Sequence, residues 1–169
     1  MTTIEATTTQ LATRNDIPKD TRSQIVELLN ARLADVIDLM MQAKQAHWNV
    51  KGMSFFSLHE LFDKVHEAMG EYVDVIAERA VQLGGTAMGT VRMAAARSTL
   101  EVYPREIVDG RDHVDALSSA LATFGRAARL GIGEAEMLGD IGTADVFTEV
   151  SRGIDKLLWF VEAHLQRKA

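Results

Sequence analysis

LHELFDKVHEAMGEYVDVIAERAVQLGG, residues 58–85, decides the fold. Its apolar residues Leu61, Phe62, Val65, Met69, Val73, Ile76, Ala80 and Leu83 recur at the spacing of one helix face. Gly84 and Gly85 stop the pattern. Four metal-loving side chains, His59, Asp63, Asp74 and Glu78, form a second stripe on the same helix. The outer pair and the inner pair share one midpoint, between Ala68 and Met69. At about 100° per residue the four lie within roughly a third of the circumference, yet His59 and Asp74 stand about 22 Å apart along the axis. That is too far to share an ion. Two copies crossing antiparallel near residue 68 would bring His59 to Glu78 of the second copy and Asp63 to Asp74 of the second copy, an isologous contact. The spacing predicts a homodimer with a pair of identical two-chain metal sites.

On the N-terminal side, Ile25, Leu28, Leu29, Leu33, Val36, Ile37 and Met40 predict a long first helix over Thr21 to Trp48, and His47 continues its buried stripe. Asn49 to Gly52 reads as a turn, after which Ser54 or Ser57 can cap the second helix; Ser57 with Glu60 makes an S-x-x-E capping box. The turn is short, so His47 is expected beside His59. On the C-terminal side, the stretch from Gly84 to Tyr103 is long for a bare connection and is expected to hold a short helix over Val91 to Arg97. Pro104 suits the first turn of a third long helix through Ile107, Val114, Leu117, Leu121, Phe124 and Ala128 to the Gly131/Gly133 region. A last helix is expected from Thr143, as N-cap, through Val146, Phe147, Val150, Ile154, Leu157, Leu158, Val161 and Leu165. Four long helices and no strand pattern give an all-α class, a four-helix bundle with a short extra helix between helices two and three.

The 169 residues, 47% of them hydrophobic, suit one well-buried domain. The expected division is a flexible tail over 1–20, with six threonines by position 13, and the bundle domain over 21–169. There is no cysteine, which excludes disulfides, thiolate zinc sites and thiol nucleophiles. Neither a signal-peptide pattern nor an apolar run of membrane-spanning length is present, so a soluble cytoplasmic protein is expected. The net charge of −6 builds in no bulk attraction to nucleic acid.

Taken singly, His47 would be a core histidine and Asp63, Asp74 and Glu78 a solvated face; the shared midpoint weighs against that for the set. Imidazole and carboxylate without sulfur suit ferrous iron, with zinc or manganese as alternatives, and a set of two histidines and three carboxylates leaves open positions for redox chemistry. His59-Glu60 begins like a zinc-protease H-E-x-x-H, but Asp63 stands where the second histidine belongs. His66 lies on the polar stripe at the crossing point, where a surface or dimer-seam role is expected. His113 and His164 read as structural.

The segments KQAHWNVKG (44–52), LHELFD (58–63) and AERAVQLGG (77–85) resemble the Dps family, ferritin-like DNA-binding proteins of starved cells, and DKLLWF (155–160) is similar too. The likeness runs from about Thr13 to Glu162. It implies a dodecameric shell in which ferrous iron is oxidised at dimer interfaces, with hydrogen peroxide as the typical oxidant, and stored inside as a ferric mineral. Carried over by position, His47, His59 and Asp63 come from one subunit and Asp74 and Glu78 from its partner, with Trp48 beside the site. The acidic run Glu134, Glu136, Asp140, Asp145 and Glu149 lies where similar proteins line a three-fold iron-entry pore. The chain departs from DNA-condensing relatives in its threonine-rich tail, where Arg14 and Lys19 face Glu5, Asp16 and Asp20. Direct DNA binding is expected to be weak, salt-sensitive or absent, with Arg167 and Lys168 a second candidate contact. The competing readings are a nucleoid-associated DNA-compacting protein whose metal site is secondary, and a zinc- or manganese-holding structural dimer.

Overall fold

The computed structural model describes residues 10–166. Within them the order is α1 (Lys19–Asn49), α2 (Phe55–Gln82), α3 (Val91–Arg97), α4 (Gly110–Met137) and α5 (Ile141–Glu162). α1 and α2 form one antiparallel hairpin and α4 and α5 another. The long connection between them carries the chain back along α1, and α3 sits in it at the residues expected from its length. Phe62, Phe124 and Phe147, with Leu29, Leu33, Met69, Ile76, Leu117 and Leu121, are fully buried between the hairpins. Each such side chain contributes about 1.5–3 kcal/mol by leaving water.

The boundaries follow from capping. α2 and α4 end in the same device: Gly84 (φ 81°) and Gly139 (φ 80°) take the left-handed conformation. Gly85 N–H then donates to Ala80 O (3.0 Å) and Asp140 N–H to Ala135 O (2.9 Å), closing orphan carbonyls at each helix end. α2 starts at Phe55 with no side-chain cap. The Ser57–Glu60 capping box does not form, because Ser57 Oγ donates instead to Ser54 O (3.0 Å).

α4 starts at Gly110 rather than around Pro104. Asp109 caps it, Oδ1 accepting from Arg111 N–H (2.8 Å), while residues 101–108 stay non-helical, with a bend at 105–106, and bring the chain back beside the turn after α1, where Lys51 N–H donates to Val108 O (3.0 Å). It also runs through Gly131 and Gly133 to Met137. Gly131 is there for close approach, since a Cβ would stand 3.0 Å from the Phe147 ring. The cap of α5 is Asp140 and not Thr143: Asp140 Oδ1 accepts from Thr143 N–H (3.0 Å) and Oδ2 from Thr143 Oγ1 (2.6 Å).

Polar residues inside α1 zip the returning connection to the bundle. Asn30, fully buried, donates to Thr86 O (3.0 Å) and accepts from Met88 N–H (2.8 Å). Further along, Asp35 accepts from Thr99 N–H (2.7 Å), Asp38 from Ser98 Oγ (2.6 Å), and Gln42 donates to Glu101 O (3.0 Å). These bonds satisfy backbone groups that a strand would otherwise pair. At the other end, Leu11 N–H donates to Gly84 O (2.7 Å) and Arg22 reaches Leu83 O (2.9 Å), so residues 10–18 lie against the bundle. The remainder of the threonine-rich tail, residues 1–9, and Arg167 and Lys168 lie outside the described residues.

His113 is buried, with Nδ1 2.7 Å from the Tyr103 hydroxyl. Burial, opposed by Asp112 and Asp109, lowers its pKa below the usual 6.5. The unfolded chain therefore takes up a proton near pH 6.5 that the folded chain refuses, and stability is full above that pH and falls as pH drops toward the folded value. Urea unfolding at about pH 7.5 and about pH 5 should show a loss on acidification that is smaller in His113→Gln; an identical pH slope in the two proteins removes His113 from the account.

Candidate metal centre

The turn at residues 50–54, with Gly52 at φ 105°, sets the last turn of α1 against the first turns of α2. His47 and His59 meet there as a reciprocal pair. His47 Nδ1 lies 2.8 Å from His59 O, His59 Nδ1 lies 2.9 Å from His47 O, and the rings stack with centroids 3.6 Å apart. A carbonyl only accepts, so each Nδ1 carries a proton, which in the neutral ring leaves the lone pair on Nε2, the form in which imidazole binds a metal.

Asp63 follows one turn after His59 on the same face. Its Oδ1 is 3.9 Å from His47 Nδ1 and accepts a hydrogen bond from Lys44 Nζ. That bond, ahead of the opposing effect of burial, holds the Asp63 carboxyl below its usual range. His47, His59 and Asp63 are thus assembled within one chain.

Asp74 and Glu78 are not part of that assembly. Both are exposed near the other end of α2, Asp74 in a shallow groove with Glu67 and Glu71, Glu78 in another with Val81 and Ala87. Among the described residues no three histidine or acidic side chains of one chain converge on a metal-sized point. Beside the histidine pair the surface is apolar: Trp48 is 55% exposed, Phe56 71%, and Phe55 lies 5.2 Å from the His59 ring. His66, half-buried at the midpoint, has Nδ1 3.0 Å from Met40 O.

The acidic run divides. Glu134, Glu136, Asp145 and Glu149 are exposed, whereas Asp140 is 2% exposed, caps α5 and pairs with Arg79 at 2.7 Å. Asp140 is therefore a buried structural carboxylate and not a pore-lining one, because both its oxygens are engaged within the chain. Two further residues of consequence escaped the sequence reading, Lys44 and Arg79. The only signal for Lys44 was its place three residues before His47 on the same helical face; for Arg79 there was none.

Two antiparallel helix hairpins joined by one long connection make the bundle topology of the ferritin-like class. The profile of the Ferritin-like domain matches residues 26–169. Within that class the chain belongs to the Dps family. It is 44% identical over 157 residues to the DNA protection during starvation protein of Agrobacterium fabrum, covering 93% of this chain and 97% of the relative. In three dimensions it is similar to Mycobacterium smegmatis Dps, with a TM-score of 0.88 and 29% identity over 93% of this chain and 94% of that one. DpsC from Streptomyces coelicolor gives a TM-score of 0.89 and 30% identity over 95% and 94%. No helix among the described residues is long and apolar enough to cross a membrane.

Proposed function

We propose that this protein is a ferroxidase and iron store and that it protects DNA in the starved cell, DNA protection during starvation being what its Agrobacterium relative is named for. The observation that carries the reading is the reciprocal histidine pair beside Asp63, with each Nδ1 proton engaged by a backbone carbonyl and Nε2 the nitrogen left for a metal. It is half of a ferrous-iron site; Asp74 and Glu78 of a two-fold partner supply the other half, and the exposed Trp48, Phe55 and Phe56 supply apolar surface for that partner to cover. Nitrogen and carboxylate donors suit ferrous iron, the substrate, and admit zinc or manganese in its place.

Two ferrous ions held together give up one electron each, and hydrogen peroxide takes both as its O–O bond breaks to two hydroxides. No hydroxyl radical is released by that two-electron step, so DNA is spared with no DNA contact needed. The dimers close into a dodecameric shell that holds the ferric product, and exposed Asp145 and Glu149, one turn apart on α5, draw cations toward its entrance. The place of action is the cytoplasm, near the nucleoid.

Anaerobic loading with excess ferrous iron followed by peroxide tests the reading. Wild type should give fast ferric absorbance in a soluble core within a particle of dodecamer mass. Asp74→Ala should keep the helical circular dichroism and lose the fast phase by about a hundredfold or more, because a ligand that fixes the reacting ion is missing. Equal rates in the two proteins, or ferric precipitate outside the protein, would leave the DNA-compacting or structural-metal reading as the better one.

A further inference from the structure

α2 repeats its own ligand pattern one heptad along. Seven residues make two turns of an α-helix to within about 20°, so a shift of seven returns to nearly the same face. Moved by seven toward the midpoint, His59, Asp74 and Glu78 become His66, Glu67 and Glu71, again one imidazole and two acids one turn apart. Both sets are symmetric about the point between Ala68 and Met69. His66 stands opposite Glu71 and Gly70 opposite Glu67, just as His59 stands opposite Glu78 and Asp63 opposite Asp74.

The side chains carry the repeat into three dimensions. On the antiparallel α1, the residue seven before His47 is Met40, and His66 Nδ1 lies 3.0 Å from Met40 O as His59 Nδ1 lies 2.9 Å from His47 O. The Met40 carbonyl therefore engages the Nδ1 proton of His66 and leaves Nε2, in the neutral ring, as the nitrogen for a metal. Glu67 and Glu71 are exposed and line one groove with Gly70 and Asp74. Two ligands of the first set have no counterpart: Met40 replaces His47, and Gly70 stands where the shift places Asp63. Glycine weakens a helix interior, and no neighbour within the chain calls for it here, since a Cβ at Gly70 would meet only Met40 Sδ, at 4.0 Å.

Resting on the two-fold dimer proposed above, we infer that α2 carries a second two-chain site for a divalent metal ion, formed by His66 Nε2 of one chain and the carboxylates of the partner's Glu67 and Glu71. It lies about 10 Å along the helix from the first, with two copies per dimer. In the antiparallel crossing His66 faces the partner's Glu71, and the space left by Gly70 admits the partner's Glu67 to the same ion. One imidazole and two carboxylates suit a first-row ion such as ferrous iron or zinc, for which the soft Met40 thioether is a poor substitute for imidazole. With three ligands in place of five, the second site binds its ion more weakly than the first. An ion that leaves the first set meets the second on the same face of the same seam.

Zinc(II), which has no redox chemistry, is the probe. Equilibrium dialysis of the assembled protein should show two classes of ion, one lost in His59→Ala or Asp74→Ala and a weaker one that both variants keep. His66→Ala, Glu67→Gln and Glu71→Gln should each weaken only the second class, by about tenfold or more. Gly70→Asp, which puts a carboxylate at the register of Asp63, should tighten that class by about tenfold, whereas Gly70→Ala should not. In zinc-soaked crystals of the wild-type protein the anomalous signal should place an ion about 2.0–2.1 Å from His66 Nε2, a measurement that needs no variant to assemble. Zinc confined to the class lost in His59→Ala overturns the inference, as does a second class indifferent to His66→Ala or a Gly70→Asp protein that binds no tighter than Gly70→Ala. Failure of the first centre looks different: zinc would then sit at His66 alone, and His59→Ala and Asp74→Ala would remove none.

Discussion

Chains carrying His59→Ala and chains carrying Asp74→Ala, each inactive alone, are expected to regain ferrous-iron oxidation when refolded together. The reason lies in where α2 puts its ligands. His59 is in the second turn of that helix, packed against His47, while Asp74 is exposed about 22 Å further along the axis. In a two-fold dimer each site takes its histidines from one chain and its distal carboxylates from the other. A mixed dimer then has one site with both defects and one with neither. With random pairing of equal amounts, half the dimers are mixed and about a quarter of all sites are intact, so the rate should recover to about a quarter of wild type. If every site were built within one chain, no mixture could restore activity, since each chain carries a lesion. The experiment thus separates the two architectures by the presence or absence of recovery, a larger signal than any single-variant rate. Stopped-flow ferric absorbance before and after co-refolding measures it, with sedimentation to show that mixed particles have formed.

How much of this was legible in the sequence depends on which forces act along one helix and which act between elements. The apolar periodicity of α1, α2, α4 and α5 located all four long helices, and the length of the connection gave α3, because amphipathic spacing is a local property. The placing of His47 beside His59 was legible as well, since the turn between them is too short to separate them; that the rings stack was not. Helix starts were not. Pro104 and Thr143 both satisfy local rules for a helix beginning, but Asp109 and Asp140 took the caps once tertiary contacts fixed where the chain had to turn. The ladder of Asn30, Asp35, Asp38 and Gln42 was hidden for the same reason: on the sequence these are polar interruptions of a helix, and only the returning connection gives them partners. Lys44 and Arg79 likewise gain their meaning from carboxylates 19 and 61 residues away.

Asp140→Ala should destabilise the protein strongly while Asp145→Asn and Glu149→Gln leave stability nearly unchanged, although all three belong to one acidic run. Asp140 is buried, its Oδ1 bonded to Arg79 and to Thr143 N–H and its Oδ2 to Thr143 Oγ1. Arg79 also donates from Nε to Thr143 Oγ1 (3.0 Å), so the carboxylate joins α2 to the start of α5. Removing it uncaps a helix and leaves a largely sheltered guanidinium without its counter-charge, which together cost about 3–5 kcal/mol. Asp145 and Glu149 are exposed. Neutralising exposed surface carboxylates changes stability by about 0.5 kcal/mol or less. Their effect is expected on iron entry instead: the double variant should slow uptake from dilute ferrous iron most at low ionic strength, and the difference from wild type should shrink as added salt screens the field. Thermal unfolding and uptake rate across a salt series measure the two effects separately. If Asp140→Ala unfolded like wild type and slowed entry with the other two, the Arg79 pairing would be dispensable and Asp140 would return to the pore.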